Sequence, residues 1–177
     1  MSTLKVQGNA SGSGSMTLIA PNTNSNQTIA LPDTSGTLLF QNSYNSIPTT
    51  SIVETATITA AAPSATTNYD AITQSVQYYT TNNANNWTLN VRGNSTTSLN
   101  TMMSIGQSLT VAMLTTNGGT AYYMTAIQVD GVGQTIKWQG GTAPTSGNAS
   151  AIDVYAVTVI KTASATYTVL ASQTQFK

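Results

Sequence analysis

Short runs of Val, Ile, Thr, Tyr and Trp, cut at regular intervals by Gly, Asn and Asp, constrain this chain most. Residues 87–91, 108–114, 121–129, 134–138, 152–161 and 165–171 are each rich in β-branched and aromatic side chains. Such residues fit a pleated, half-buried surface. Between the runs stand Asn117-Gly118-Gly119, Asp130-Gly131-Val132-Gly133, Gly140-Gly141 and Gly147-Asn148, which tolerate the positive φ of tight turns. Short strands at a spacing of roughly 8–12 residues predict an all-β body, a β-sandwich or jelly-roll-like domain. The last two runs, joined through Thr162-Ala163-Ser164, predict a hairpin. Within residues 152–160 both alternating faces are apolar, with Ile152, Val154 and Ala156 on one and Tyr155, Val157 and Val159 on the other. A strand covered on both faces lies in the middle of a sandwich or against another subunit.

Upstream the pattern is more broken. Residues 51–59 alternate around Ile52 and Ile58, and residues 60–68 break the run at Pro63. Residues 71–79 carry Ile72, Val76 and Tyr79 in a Thr-rich setting, which favours a strand over a helix. Residues 1–41 hold only β pieces of a few residues, separated by the Gly/Ser run at 8–15 and the Pro-led turns at 21–27 and 32–36. Such pieces cannot bury an apolar face within one chain, but gain stability when copies stack around an axis. The chain therefore divides into an N-terminal docking arm or stalk (residues 1–41), a polar linker around Pro48 (residues 42–50) and a C-terminal β-sandwich domain (residues 51–177). The arm's apolar contacts are Leu4, Val6, Leu18, Ile19, Leu31, Leu38, Leu39 and Phe40. Burial between copies would supplement a modest core, and a homotrimer is expected.

Charge decides what the chain does not do. Only 6% of its residues are charged, against about a quarter in an ordinary domain, so Thr, Ser and Asn must keep the surface polar. Five basic and five acidic residues are scattered singly and give zero net charge. No basic stripe offers a footprint for nucleic acid. No apolar run approaches the roughly 20 residues of a membrane span, and the opening Met1-Ser-Thr-Leu-Lys-Val lacks the order of a signal peptide. Synthesis in the cytoplasm, with release by lysis or retention there, is expected.

With no His and no Cys, Ser–His and Cys–His nucleophiles, imidazole-held zinc and thiolate metal sites are all excluded. No cofactor is expected. The carboxylates are Asp33, Glu54, Asp70, Asp130 and Asp153. Asp33 and Asp130 stand in turn dipeptides, where Asp bonds nearby backbone. Asp153 opens a strand, where it pairs with Lys161 or caps an edge. No two of them have motif support as a glycosidase pair, so the chain reads as no enzyme, and glycan depolymerase is the weakest of its readings. Gly131-Val132-Gly133 has no following Lys-Ser/Thr and reads as a turn. The Asn-X-Ser/Thr matches, among them residues 26–28, 86–88, 94–96 and 148–150, follow from composition. Tyr78, Tyr79, Trp87, Tyr122, Tyr123 and Trp138 could stack on a sugar ring, and all six also fit a core or a subunit interface. Trp138, beside the loop at 139–146, and the adjacent Tyr122 and Tyr123 are the candidates for surface contact with a sugar ring.

Residues 28–38 (TIALPDTSGTL) resemble the LPxxxGTL segment of tailed-bacteriophage fibre and decoration proteins. The opening MSTLKV is similar to the starts of structural proteins of marine and freshwater phages. Residues 136–147 (IKWQGGTAPTSG) and 151–176 (AIDVYAVTVIKTASATYTVLASQTQF) resemble the globular tips of such proteins. The resemblance implies a virion structural protein on the particle's exterior, commonly a homotrimer. Its arm would dock on a tail or major capsid protein, and its C-terminal domain would face outward within reach of a host-surface glycan. A short tail fibre and a capsid decoration (cement or head-fibre) protein both fit this design.

Overall fold

Residues 53–177, together with Ser11 and Asn24, are described by the computed structural model. Apart from those two residues, the docking arm with its eight apolar residues and the linker lie outside the described residues, as does Asp33. From Ala56 onward the chain passes back and forth between two sheets. Strands β1 (Ala56–Thr59), β3 (Val76–Asn82) and β5 (Ser108–Thr116) run parallel in one. Strands β2 (Thr66–Asp70), β4 (Trp87–Arg92) and β6 (Met124–Val129) run parallel in the other. Parallel neighbours need a crossover, and here each crossover is itself a strand of the facing sheet.

The winding stops after β6. Asp130 and Gly131 both take positive φ, 51° and 81°, and fold β6 back on the two-residue β7 (Val132–Gly133). This is the backbone of the tight hairpin turn that Asp-Gly favours. Strand β8 (Ile136–Trp138) then returns to the first sheet, followed by β9 (Ile152–Ala163) and β10 (Thr166–Phe176). The six-stranded sheet is ordered β1-β3-β5-β9-β10-β8 and the four-stranded sheet β2-β4-β6-β7.

The fold is all-β with two sheets around one core, as the alternation predicts. The β9–β10 hairpin is also present, paired antiparallel from Thr166↔Ala163 to Phe176↔Ile152. The strand order differs from a jelly roll, whose strands are joined in antiparallel Greek keys. The β1–β3, β3–β5, β2–β4, β4–β6 and β8–β10 pairings are all parallel. Side-chain alternation marks which residues are apolar, but the direction of each return depends on loop geometry.

Inward-facing residues of both sheets meet in the core. Tyr69, Trp87, Leu89, Val91, Ile127 and Val129 come from the smaller sheet, and Val111, Met113, Tyr155, Val157, Val159 and Val169 from the larger. At its centre Trp87 meets Tyr155 edge to face, with ring centroids 5.4 Å apart. Strand β9 lies between β5 and β10, so the doubly apolar run is a central strand.

Local departures have local causes. Ala71–Thr73 is a turn closed by Thr73 N–H on the Asp70 carbonyl, so β3 begins only at Val76. Tyr122 and Tyr123 precede β6 rather than lying on it. A four-residue helix α1 (Leu99–Met102), capped by the Ser98 side chain, joins β4 to β5.

Candidate functional site

Five of the eight charged side chains among the described residues, Asp70, Arg92, Asp130, Asp153 and Lys161, help hold the fold together. Asp70 and Arg92 lie at the paired ends of β2 and β4, where Arg92 Nε donates to Asp70 Oδ1 at 2.6 Å. That bond holds the Arg92 guanidinium above its ordinary value. Asp130, projecting from the β6–β7 turn, accepts the first backbone N–H groups of α1. Leu99 N–H donates to Oδ1 at 2.6 Å and Asn100 N–H to Oδ2 at 3.0 Å. Buried Lys161 grips the other end of the helix, donating to the Asn100 and Met103 carbonyls at 2.6 and 2.8 Å. A helix leaves free N–H groups at its start and free carbonyls at its end, and here a carboxylate and an ammonium take them.

Asp153 does not pair with Lys161. The two share the inward face of β9, eight residues apart and thus about 26 Å at strand rise, with Asp153 at one end and Lys161 at the other. Asp153 is fully buried, and its Oδ2 accepts from Asn117 Nδ2 at 3.0 Å, Asn148 N–H at 3.1 Å and Gln173 Nε2 at 3.1 Å. Loss of hydration raises its pKa, and these three donors act in the opposite sense. The network continues through Asn117 to buried Asn83 and through Gln173 to the Tyr155 hydroxyl. Gly147 is required here, because a Cβ would collide with the Tyr122 carbonyl oxygen and crowd Asp153 Oδ2. Sequence reading takes Asn117 and Gly147 as turn residues. Nothing in the spacing of Asn83, Asn117 and Asp153 signals that they meet.

The candidate contact residues fall on different elements. Trp138 ends β8, half-buried at the edge of the larger sheet and packed on the core. It borders two shallow grooves. One, of about 400 Å³, is lined also by Lys137, Gln139, Thr158 and Leu170. The other, of about 240 Å³, is lined also by Thr142, Pro144 and Gln173. Tyr123 is half-buried against the core, with its backbone N–H on Asn86 Oδ1 and its carbonyl accepting Trp87 N–H. Tyr122 is half-buried, with its carbonyl against Gly147.

A third groove, of about 350 Å³, is lined by polar residues and glycine, among them Asn90, Arg92, Asn94, Thr97, Asp130 and Gly131. Asn90 bridges its floor, donating to Asn68 Oδ1 at 2.8 Å and accepting Gly131 N–H at 2.8 Å. Both oxygens of Asp130 are already taken by α1. These grooves offer hydrogen bonds and an indole edge, which suit contact with hydroxyl-rich surfaces. Among the described residues no three metal-binding side chains form a group, and no helix is long and apolar enough to cross a membrane. No family model, no curated protein and no solved structure matches the chain.

Proposed function

We propose that this chain is a non-enzymatic structural subunit of a tailed-bacteriophage virion. In this reading it forms a short homotrimeric tail fibre or appendage. Residues 1–41 dock on the particle, and the domain of residues 51–177 faces outward, with Trp138 beside the groove of Thr142, Pro144 and Gln173, which suits a host-surface glycan. The use made of charge carries the reading. Asp70 is tied to Arg92, Asp130 and Lys161 hold the ends of α1, and Asp153 is buried among amides. The outer faces of the sheets are left to contact. The resemblance of residues 28–38 and 136–176 to phage fibre and decoration proteins supports the same conclusion.

Quantitative mass spectrometry of purified particles tests it. A few tens of copies or fewer per particle is the expected result for an appendage. Hundreds of copies would replace it with capsid decoration, a role the short chain also suits. Absence from the particle would overturn the virion reading altogether.

A further inference from the structure

Strand β9 presents a second apolar face that the core does not use. Its inward residues are Asp153, Tyr155, Val157, Val159 and Lys161, all buried, whereas Ile152, Val154, Ala156 and Ile160 alternate with them on the other side. The strand register extends that second face across the sheet. Ile58, Tyr78, Leu114 and Val154 are consecutive partners across β1, β3, β5 and β9. Beside them run Ala56, Val76, Ala112 and Ala156 in the same order. Ile152 with Phe176, and Leu170 near the opposite edge, belong to the same face, among the uncharged hydroxyls of Ser108, Thr110, Thr158, Thr168, Ser172 and Thr174; Thr110 and Thr158 are hydrogen-bonded to each other at 2.8 Å. Ile58 is 70% exposed, Phe176 55% and Leu170 39%. Exposed apolar side chains gathered on one uncharged face, rimmed by hydroxyls, mark a surface for interaction.

We infer that this outer face of the six-stranded sheet is the surface on which one copy of the chain packs against another. The inference rests on the homotrimeric reading above and assigns the contact to a place. Two observations select a second copy as the occupant. The first is charge. Among the six strands only Asp153, Lys161 and Lys137 are charged, and the first two point inward. Lys137 alone faces out, on the edge strand β8. Identical faces can therefore meet without like-charge repulsion, while a charged partner finds nothing to complement.

The second observation is area. The strands contain 4, 7, 9, 12, 11 and 3 residues, 46 together. With strands about 4.8 Å apart and a rise of about 3.4 Å per residue, each residue covers roughly 16 Å² and the face roughly 750 Å². A stable interface takes about 800 Å² from each partner. Three such faces turned towards a common axis would give the trimer its hydrophobic centre. The opposite sheet presents amides and an ion pair instead, with Asn68, Asn90 and the Asp70–Arg92 pair outward.

Multi-angle light scattering on the full-length chain, wild type against the double variant Ile58→Lys/Leu170→Lys, tests the inference. Both side chains are exposed in the single chain, so far-UV circular dichroism should be unchanged. Thr66→Lys, on the outer side of β2, is the control. The expected result is an oligomer for wild type and for Thr66→Lys, and a folded monomer for the double variant. An oligomeric double variant would overturn the assignment of the face while leaving the trimer standing. Dissociation by Thr66→Lys alone would move the contact to the smaller sheet and overturn it as well. A monomeric wild type at tens of micromolar would overturn both the trimer and the face. Should the double variant lose its circular dichroism signal, Phe176→Lys near the chain's end replaces it with the same outcomes.

Discussion

Replacing Tyr155 by Phe removes one oxygen atom from the centre of the fold and tests how its two sheets are joined. The Tyr155 hydroxyl, on β9 of the larger sheet, accepts Met124 N–H of β6 in the smaller sheet at 3.1 Å. It also accepts Gln173 Nε2 at 3.1 Å. The ring itself stays, so the edge-to-face contact with Trp87 is preserved. Gln173 keeps its bonds to Asp153 and to the Ser146 carbonyl, and loses little. Met124 is fully buried, and its N–H loses this acceptor. Leaving a buried donor unmatched costs about 1–3 kcal/mol, and a value near 1.5–2 kcal/mol is expected. Unfolding entropy near 2.1 cal/mol/K per residue over the 125 residues of 53–177 gives about 0.26 kcal/mol/K, so Tm should fall by about 6–8 °C. Urea titration followed by the fluorescence of Trp87 and Trp138, at one fixed protein concentration, measures it. A loss below about 0.5 kcal/mol with an unchanged denaturant slope would refute the inter-sheet bond.

Asp130→Ala should cost about 1–2 kcal/mol by uncapping α1; Asp130→Asn, which keeps an acceptor oxygen, should cost less than half as much by urea titration. Burial raises the Asp153 pKa above its unfolded value. The stability that goes with its proton is fully present below about pH 4 and is lost as pH rises through the folded value. Asp153→Asn should therefore flatten that part of the stability–pH profile; an unchanged slope would count against a buried, ionisable Asp153. Burial also pushes the Tyr69 phenol up to about 12, so its contribution holds below about pH 10 and is lost as pH rises through 12. Tyr69→Phe should reduce the steepness of alkaline unfolding in that window, followed by circular dichroism.

Much of the fold was legible because its signals are local. Alternation in 87–91, 108–114 and 152–161 marks β4, β5 and β9, and Asp130-Gly131 marks a hairpin by its own backbone chemistry. The non-local features were not legible. The same alternation serves parallel and antiparallel neighbours, so the winding of β1 to β6 left no trace in it. Leu99–Met102 is too short to show helical periodicity, and its stabilisers Asp130 and Lys161 are about 30 and 60 residues away in sequence. Asp153 and Lys161, adjacent in the search for a partner, lie at opposite ends of one strand.

A chain with so little charge must limit its own adhesion by shape. Open sheet edges are templates for uncontrolled pairing, and proteins commonly shorten or charge them. Here the six-stranded sheet ends in β1 of four residues and β8 of three, and the smaller sheet in β7 of two and β2 of five. Lys137 stands on β8, and β2 carries Asp70. The long strands β5, β9 and β10 lie inside the larger sheet. Edge-to-edge growth is thus disfavoured, while the broad face over those long strands remains apolar. On the homotrimeric reading proposed above, association is steered towards a face contact, which copies can close around an axis, and away from an edge contact, which extends without limit. The doubly apolar β9 joins both levels of order: its inner residues hold the two sheets together, and its outer residues lie at the centre of the surface assigned to the neighbouring copy.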